Sequence, residues 1–113
     1  MLYSSDTMSE VTNTPHDSFF NQVRSKLTDA EYDAIVNELD QKISGDEVHT
    51  SSWMPGSDWA GSVFEPIETA CGGDRDISGR FFGLVVWKVF QARSDTWSFG
   101  RYPNSKGMTY FKI

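Results

Sequence analysis

Apolar positions recur at helical spacing in two stretches of the first half of the chain. Phe19, Phe20, Val23 and Leu27 share one face of a helix that Asp17 would cap and that would run to about Leu27. Thr28-Asp29-Ala30-Glu31 then matches a capping box, in which Thr28 and Glu31 satisfy each other's backbone N–H groups. Tyr32, Ile35, Val36, Leu39 and Ile43 form the stripe of the helix it opens, and Gly45 stands where a left-handed residue ends such helices. Residues 1–15 are rich in Ser, Thr, Asp and Asn, with little to bury. They are expected to form a flexible leader, with Met8 as an alternative start, ahead of a single globular domain over residues 16–113.

Periodicity fails between Asp46 and Glu65, where Ser51-Ser52-Trp53-Met54-Pro55-Gly56-Ser57-Asp58 is turn chemistry flanked by bulky residues. Pro66 suits the first turn of a short helix reaching about Cys71, and Gly72-Gly73 ends it. Phe81, Phe82, Leu84, Val85, Val86, Trp87, Val89 and Phe90 would surround a helix almost completely, which describes a buried central helix with Asp76 as its cap. The same β-branched and aromatic residues suit a buried strand, but the run is long for one. Thr96 to Tyr102 and Met108 to Ile113 alternate as strands around Pro103-Asn104-Ser105-Lys106-Gly107. The expected fold is therefore a small α+β domain: N-terminal helices, an apolar helix and a C-terminal antiparallel β-hairpin. If residues 80–91 were a strand, a three-stranded C-terminal meander would replace the last two.

The chain has 113 residues, one cysteine and a net charge of -6. One cysteine excludes an internal disulfide framework and a zinc site of several thiolates. No apolar run approaches the length of a membrane span, and a cytoplasmic location without membrane contact is expected. Net acidity argues against wrapping duplex DNA. Its distribution changes that picture, since residues 1–74 sum to -11 and residues 75–113 to +5. Twelve of the sixteen aromatics, including all four Trp, lie from Trp53 onward, so the core should be built mainly from that half.

Catalytic constellations are weak. Cys71 could be a nucleophile with His49 or His16 as base, but it ends an apolar stripe with Ile67 and reads as a buried thiol. His49 with Asp46, Glu47 or Asp58 lacks a metal-ligand spacing. Gly72-Gly73-Asp74 lacks the Lys-Ser/Thr of a phosphate loop. No cofactor, metal or enzymatic activity is expected.

Binding surfaces are more promising. Asp29, Asp33 and Asp40 fall in one column of the second helix, the first two about 6 Å apart like successive phosphates, with Glu31 and Glu38 in another column. Trp53 and Trp59 place bulky anchors in the aperiodic loop. These residues are expected to occupy a basic surface of a protein partner. A second expectation is a nucleic-acid contact through Arg93, Arg101, Lys106 and Lys112 with Tyr102 and Tyr110, which interleave cations with rings. No motif matches a family signature. In size, acidity and lack of a catalytic constellation the chain resembles phage- or plasmid-encoded inhibitors of nucleic-acid-handling host-defence complexes. That resemblance is to a functional class and assigns no residue roles.

Overall fold

A computed structural model describes residues 1–4, 6–50, 59–101 and 107–113. Among them the chain forms four helices and five strands in one α+β domain. Strands β1 (Leu2–Ser4) and β2 (Ser9–Glu10) precede helices α1 (Asp17–Arg24) and α2 (Asp29–Ile43). Strand β3 (Val48–Thr50), helices α3 (Glu65–Ala70) and α4 (Arg75–Ala92), and strands β4 (Trp97–Gly100) and β5 (Thr109–Lys112) complete the order. The sheet runs β2-β1-β4-β5-β3, antiparallel except for the parallel β1–β4 pair.

The capping box at Thr28 forms as the sequence predicts: Glu31 N–H donates to Thr28 Oγ1 at 3.0 Å, and Thr28 N–H donates to Glu31 Oε1 at 2.9 Å. Other boundaries shift. Helix α1 has His16 in the capping position, in left-handed conformation at φ 54°, so Asp17 is its first residue and not its cap. Helix α2 ends through Ser44 in right-handed conformation, and Gly45 is not left-handed. Left-handed glycines do follow α3, where Gly72 and Gly73 (φ 67° and 80°) turn the chain into α4.

Residues 80–91 lie within α4, so no strand forms there to make a meander. The helix starts earlier than the apolar run suggests. Asp74 caps it, accepting from the N–H groups of Asp76 and Ile77 at 3.0 and 3.1 Å. Asp76, the expected cap, lies in the first turn, where a carboxylate still favours the positive end of the helix dipole. Strands β4 and β5 pair antiparallel from Trp97↔Lys112 to Gly100↔Thr109. Strand β3 lies in the segment where periodicity failed, because three residues are too few to show alternation.

Helix α4 is buried on two sides, which explains its nearly continuous apolar circumference. The helices α1, α2 and α3 pack on one side of it. On the sheet side Phe90 stacks on Tyr110 with centroids 4.0 Å apart and meets Trp97 edge-on at 4.9 Å. Trp87 meets Phe99 edge-on at 4.8 Å. On the helix side Phe81 stacks on Phe20 at 5.1 Å.

The start of the chain corrects the expectation of a leader with little to bury. Leu2 is fully buried in the core, and its strand pairs with β4 through Leu2↔Trp97 and Tyr3↔Ser98. Val11 N–H donates to Leu2 O at 2.7 Å, and the Trp87 and Gln91 side chains donate to Asn13 O. One isolated leucine in a polar stretch gives no periodic signal, yet a strand with one buried face needs only alternate apolar positions.

Candidate functional site

The acidic column of α2 is largely engaged by cations of the chain itself. Asp29 pairs with Arg24 at 2.7 Å, and the Arg24 guanidinium also lies 4.3 Å from the Tyr32 ring centroid. Asp40 pairs with Arg93 at 2.5 Å, joining α2 to the chain just after α4. Glu38 lies 3.8 Å from Lys42 one turn on, and Glu31 serves the capping box. Asp33 is the member of the two columns with no hydrogen bond or ion pair to a described residue. Trp59 is half-buried, packed against Phe82 and Phe64 with centroids at 5.4 and 6.2 Å, so it plugs the core and is not a free anchor. Trp53 lies outside the described residues.

Among the described residues, the cations and rings of the C-terminal half are not assembled as one platform. Tyr110 is buried on Phe90, and burial raises its phenol pKa well above the ordinary value. Arg93 is clamped by Asp95 as well as Asp40, its Nε donating to Asp95 Oδ1 at 2.8 Å and an Nη to Oδ2 at 2.9 Å. Lys112 is exposed at the far end of β5, in a small cleft with Arg93 and Asp95, whereas Arg101 lines a different cleft. Tyr102 and Lys106 lie outside the described residues.

The Arg93 clamp has a pH signature. The guanidinium hydrogen bonds hold the Asp95 carboxyl down to about 2 from its ordinary 3.8, against the opposing effect of burial. The buried Trp97 indole N–H adds to the lowering, although it makes no hydrogen bond of normal geometry to a described residue. Because the folded-state value is depressed, the stabilisation is present above pH 3.8 and is lost as pH falls towards 2. Thermal unfolding followed from pH 6 to pH 2 should therefore show a steep fall at the acid end. In Asp95→Asn that fall is expected to be shallower from the same starting region. An identical acid slope in both proteins would remove Asp95 from the account.

The histidine and cysteine sites also separate. His49 Nε2 lies 3.1 Å from the carbonyl oxygens of both Ile43 and Asp46, and its ring packs against Trp97 and Phe90. Cys71 is half-buried, and desolvation raises its pKa against the smaller lowering effect of the Ser78 hydroxyl. A raised thiol pKa opposes nucleophile formation at neutral pH. Among the described residues no group of three or more His, Cys, Asp or Glu could hold a metal ion.

What the fold does assemble is a cleft of about 960 Å³ along the outer face of α4. Arg75, Asp76, Gly79, Arg80 and Gly83 supply its helical wall, and Arg101 at the end of β4 faces it, with His16 at its rim. Arg75, Arg80 and Arg101 are exposed and form no salt bridge with a described residue. Asp76 is the acidic residue among those lining the cleft, against three arginines. Sequence reading did not single out Arg75 and Arg80, because a helix capped by Asp76 leaves Arg75 outside it and hides the stripe the two share. Once α4 starts after Asp74, positions 75, 76, 79, 80 and 83 form the polar and small stripe of an otherwise apolar helix.

A second groove, of about 1020 Å³, lies between α1 and α3 and mixes Phe19, Val23, Pro66 and Ile77 with Lys26, Glu31 and Glu65. Lys26 faces two carboxylates there, and both are already engaged: Glu31 accepts from Thr28 N–H and Glu65 from Gly61 N–H. No described helix is long and apolar enough to cross a membrane. The domain so defined is an α+β unit in which a short helix, a glycine turn and a long helix precede two antiparallel strands. No family model, curated protein or solved structure matches the chain.

Proposed function

We propose that this protein is a non-enzymatic nucleic-acid-contacting module that uses the arginine cleft along α4. The observation that carries the reading is the contrast in charge partnering. The carboxylates of α2 are mostly held by internal cations, whereas Arg75, Arg80 and Arg101 converge on one open cleft without salt bridges to described residues. Convergent, unneutralised guanidinium groups suit phosphates and base edges, which accept in the planar geometry that arginine donates. The α3–turn–α4 unit adds support, since a second helix presented after a short turn is a recurrent way of offering side chains to nucleic acid. The first expectation, an acidic surface mimicking nucleic acid towards a basic partner, loses most of its free carboxylates to these internal pairs.

The overall charge of -6 does not oppose this reading, because the screened field near a cleft is set by the groups within about 10 Å. Titration of labelled DNA and RNA at low salt is expected to show binding that weakens as salt rises. Arg75→Ala, Arg80→Ala and Arg101→Ala should each weaken binding while leaving the unfolding midpoint nearly unchanged, and Arg101→Ala should also reduce the log–log salt slope by about one. Undiminished affinity in the triple variant would refute the cleft as the contact.

A further inference from the structure

We infer that the nucleic acid taken by this cleft is duplex DNA, with the N-terminal half of α4 lying in the major groove. The inference rests on the nucleic-acid reading above and names its substrate class. An α-helix with its side chains is about 10–12 Å across, which a B-form major groove about 12 Å wide admits, and the stripe from Arg75 to Gly83 offers about 12 Å of helix length to it. Its composition fits that approach. Gly79 and Gly83 sit one turn apart, and a Cβ built at either would meet nothing within 4 Å. Nothing in the fold therefore requires them to be bare, although glycine within a helix is less favourable than alanine. Their missing side chains lower the helix face on either side of Arg80 and let a groove wall approach the backbone.

The side chains left on that stripe match base edges. Arg75 and Arg80 can each donate two hydrogen bonds to guanine O6 and N7, and Asp76 can accept from cytosine N4. A carboxylate in a surface meant only to track phosphates would be unfavourable, whereas at a base edge it has a partner. Arg101, across the cleft just after β4, is left for the phosphate backbone. Of the three large rings that line the cleft among the described residues, Phe19 is half-buried, and Trp87 and Tyr110 are not stacking platforms for unpaired bases. Trp87 is buried against Phe99, its indole N–H bonded to Asn13 O, and Tyr110 is buried against Phe90. Duplex RNA is disfavoured because its major groove is too deep and narrow for a helix.

Fluorescence anisotropy of the full chain tests this with a DNA duplex of mixed sequence, its single strand and the matching RNA duplex, all at one low salt concentration. A further DNA duplex carries glucosylated hydroxymethylcytosine, which fills the major groove and leaves the backbone charge intact. The DNA duplex should bind at least about tenfold more tightly than the single strand, the RNA duplex or the glucosylated duplex. The Gly79→Ala/Gly83→Ala variant should melt no lower than the parent yet bind the plain duplex several-fold more weakly. Equal binding of all three nucleic acids, or undiminished binding of the glucosylated duplex, would overturn the duplex assignment while leaving a nucleic-acid contact in place. Full affinity in the glycine variant would overturn the close approach of α4. Binding to none of the nucleic acids, or tighter binding to polyglutamate than to DNA, would overturn the nucleic-acid reading as well.

Discussion

Phe90→Ala is expected to destabilise the protein by about 3–5 kcal/mol, the range for deleting a fully buried phenyl ring. The ring is completely buried where α4 meets the sheet, stacked on Tyr110 at 4.0 Å and edge-on to Trp97 at 4.9 Å, with His49 at 6.4 Å. These neighbours come from three strands, so collapse into the cavity would require β3, β4 and β5 to move together. That keeps the expected cost towards the upper end. A domain of this size has about 5–15 kcal/mol in all, so much of its stability would go. Urea unfolding monitored by tryptophan fluorescence should show a lower midpoint with a similar slope. Phe90→Leu, which keeps most of the volume, should recover much of the loss. A midpoint in Phe90→Ala within error of the parent would mean that α4 does not dock on the sheet as described.

Removal of residues 1–7, so that the chain starts at Met8, is expected to cost at least about 3 kcal/mol, since Leu→Ala in a core alone costs about 2–5. Three losses combine. Leu2 leaves a fully buried site, Trp97 N–H loses its 2.9 Å bond to Met1 O, and the buried Ser98 hydroxyl loses its acceptor, Tyr3 O, at 3.1 Å. The edge of β4 that β1 covers is then left open, which also raises the risk of strand-to-strand association. Leu2→Ala separates these effects, because it removes the side chain and leaves the strand. Denaturant midpoints for both variants give the measurement. If the shortened chain unfolds with the parent's midpoint, the first strand is dispensable and the flexible-leader expectation is restored.

Several features were legible in the sequence for physical reasons that act locally. The capping box at Thr28 needs only residues three apart, and the stripe of Ile35, Leu39 and Ile43 follows the helical repeat. The glycine pair after α3 was readable because left-handed backbone is cheap only for glycine. A buried helix over residues 80–91 was the better reading because length separates helices from strands. The candidate site was less legible. Arg101 was identified, but Arg75 and Arg80 were not singled out: with Asp76 as the expected cap Arg75 fell outside the helix, and the stripe it shares with Arg80 appears only once α4 starts after Asp74.

The sequence by itself determined the elements whose signals are local: the helices, the capping box of α2, the glycine stop after α3 and the division of charge between an acidic first part and a basic end. Tertiary structure alone decided which charges remain available. Arg93 is spent on Asp40 and Asp95, Asp29 is held by Arg24, and Tyr110 is taken into the core. These pairings join residues up to 53 positions apart, beyond any local pattern. Charge along a chain is additive, but its expression at a surface depends on which opposite charge the fold brings within a few ångströms.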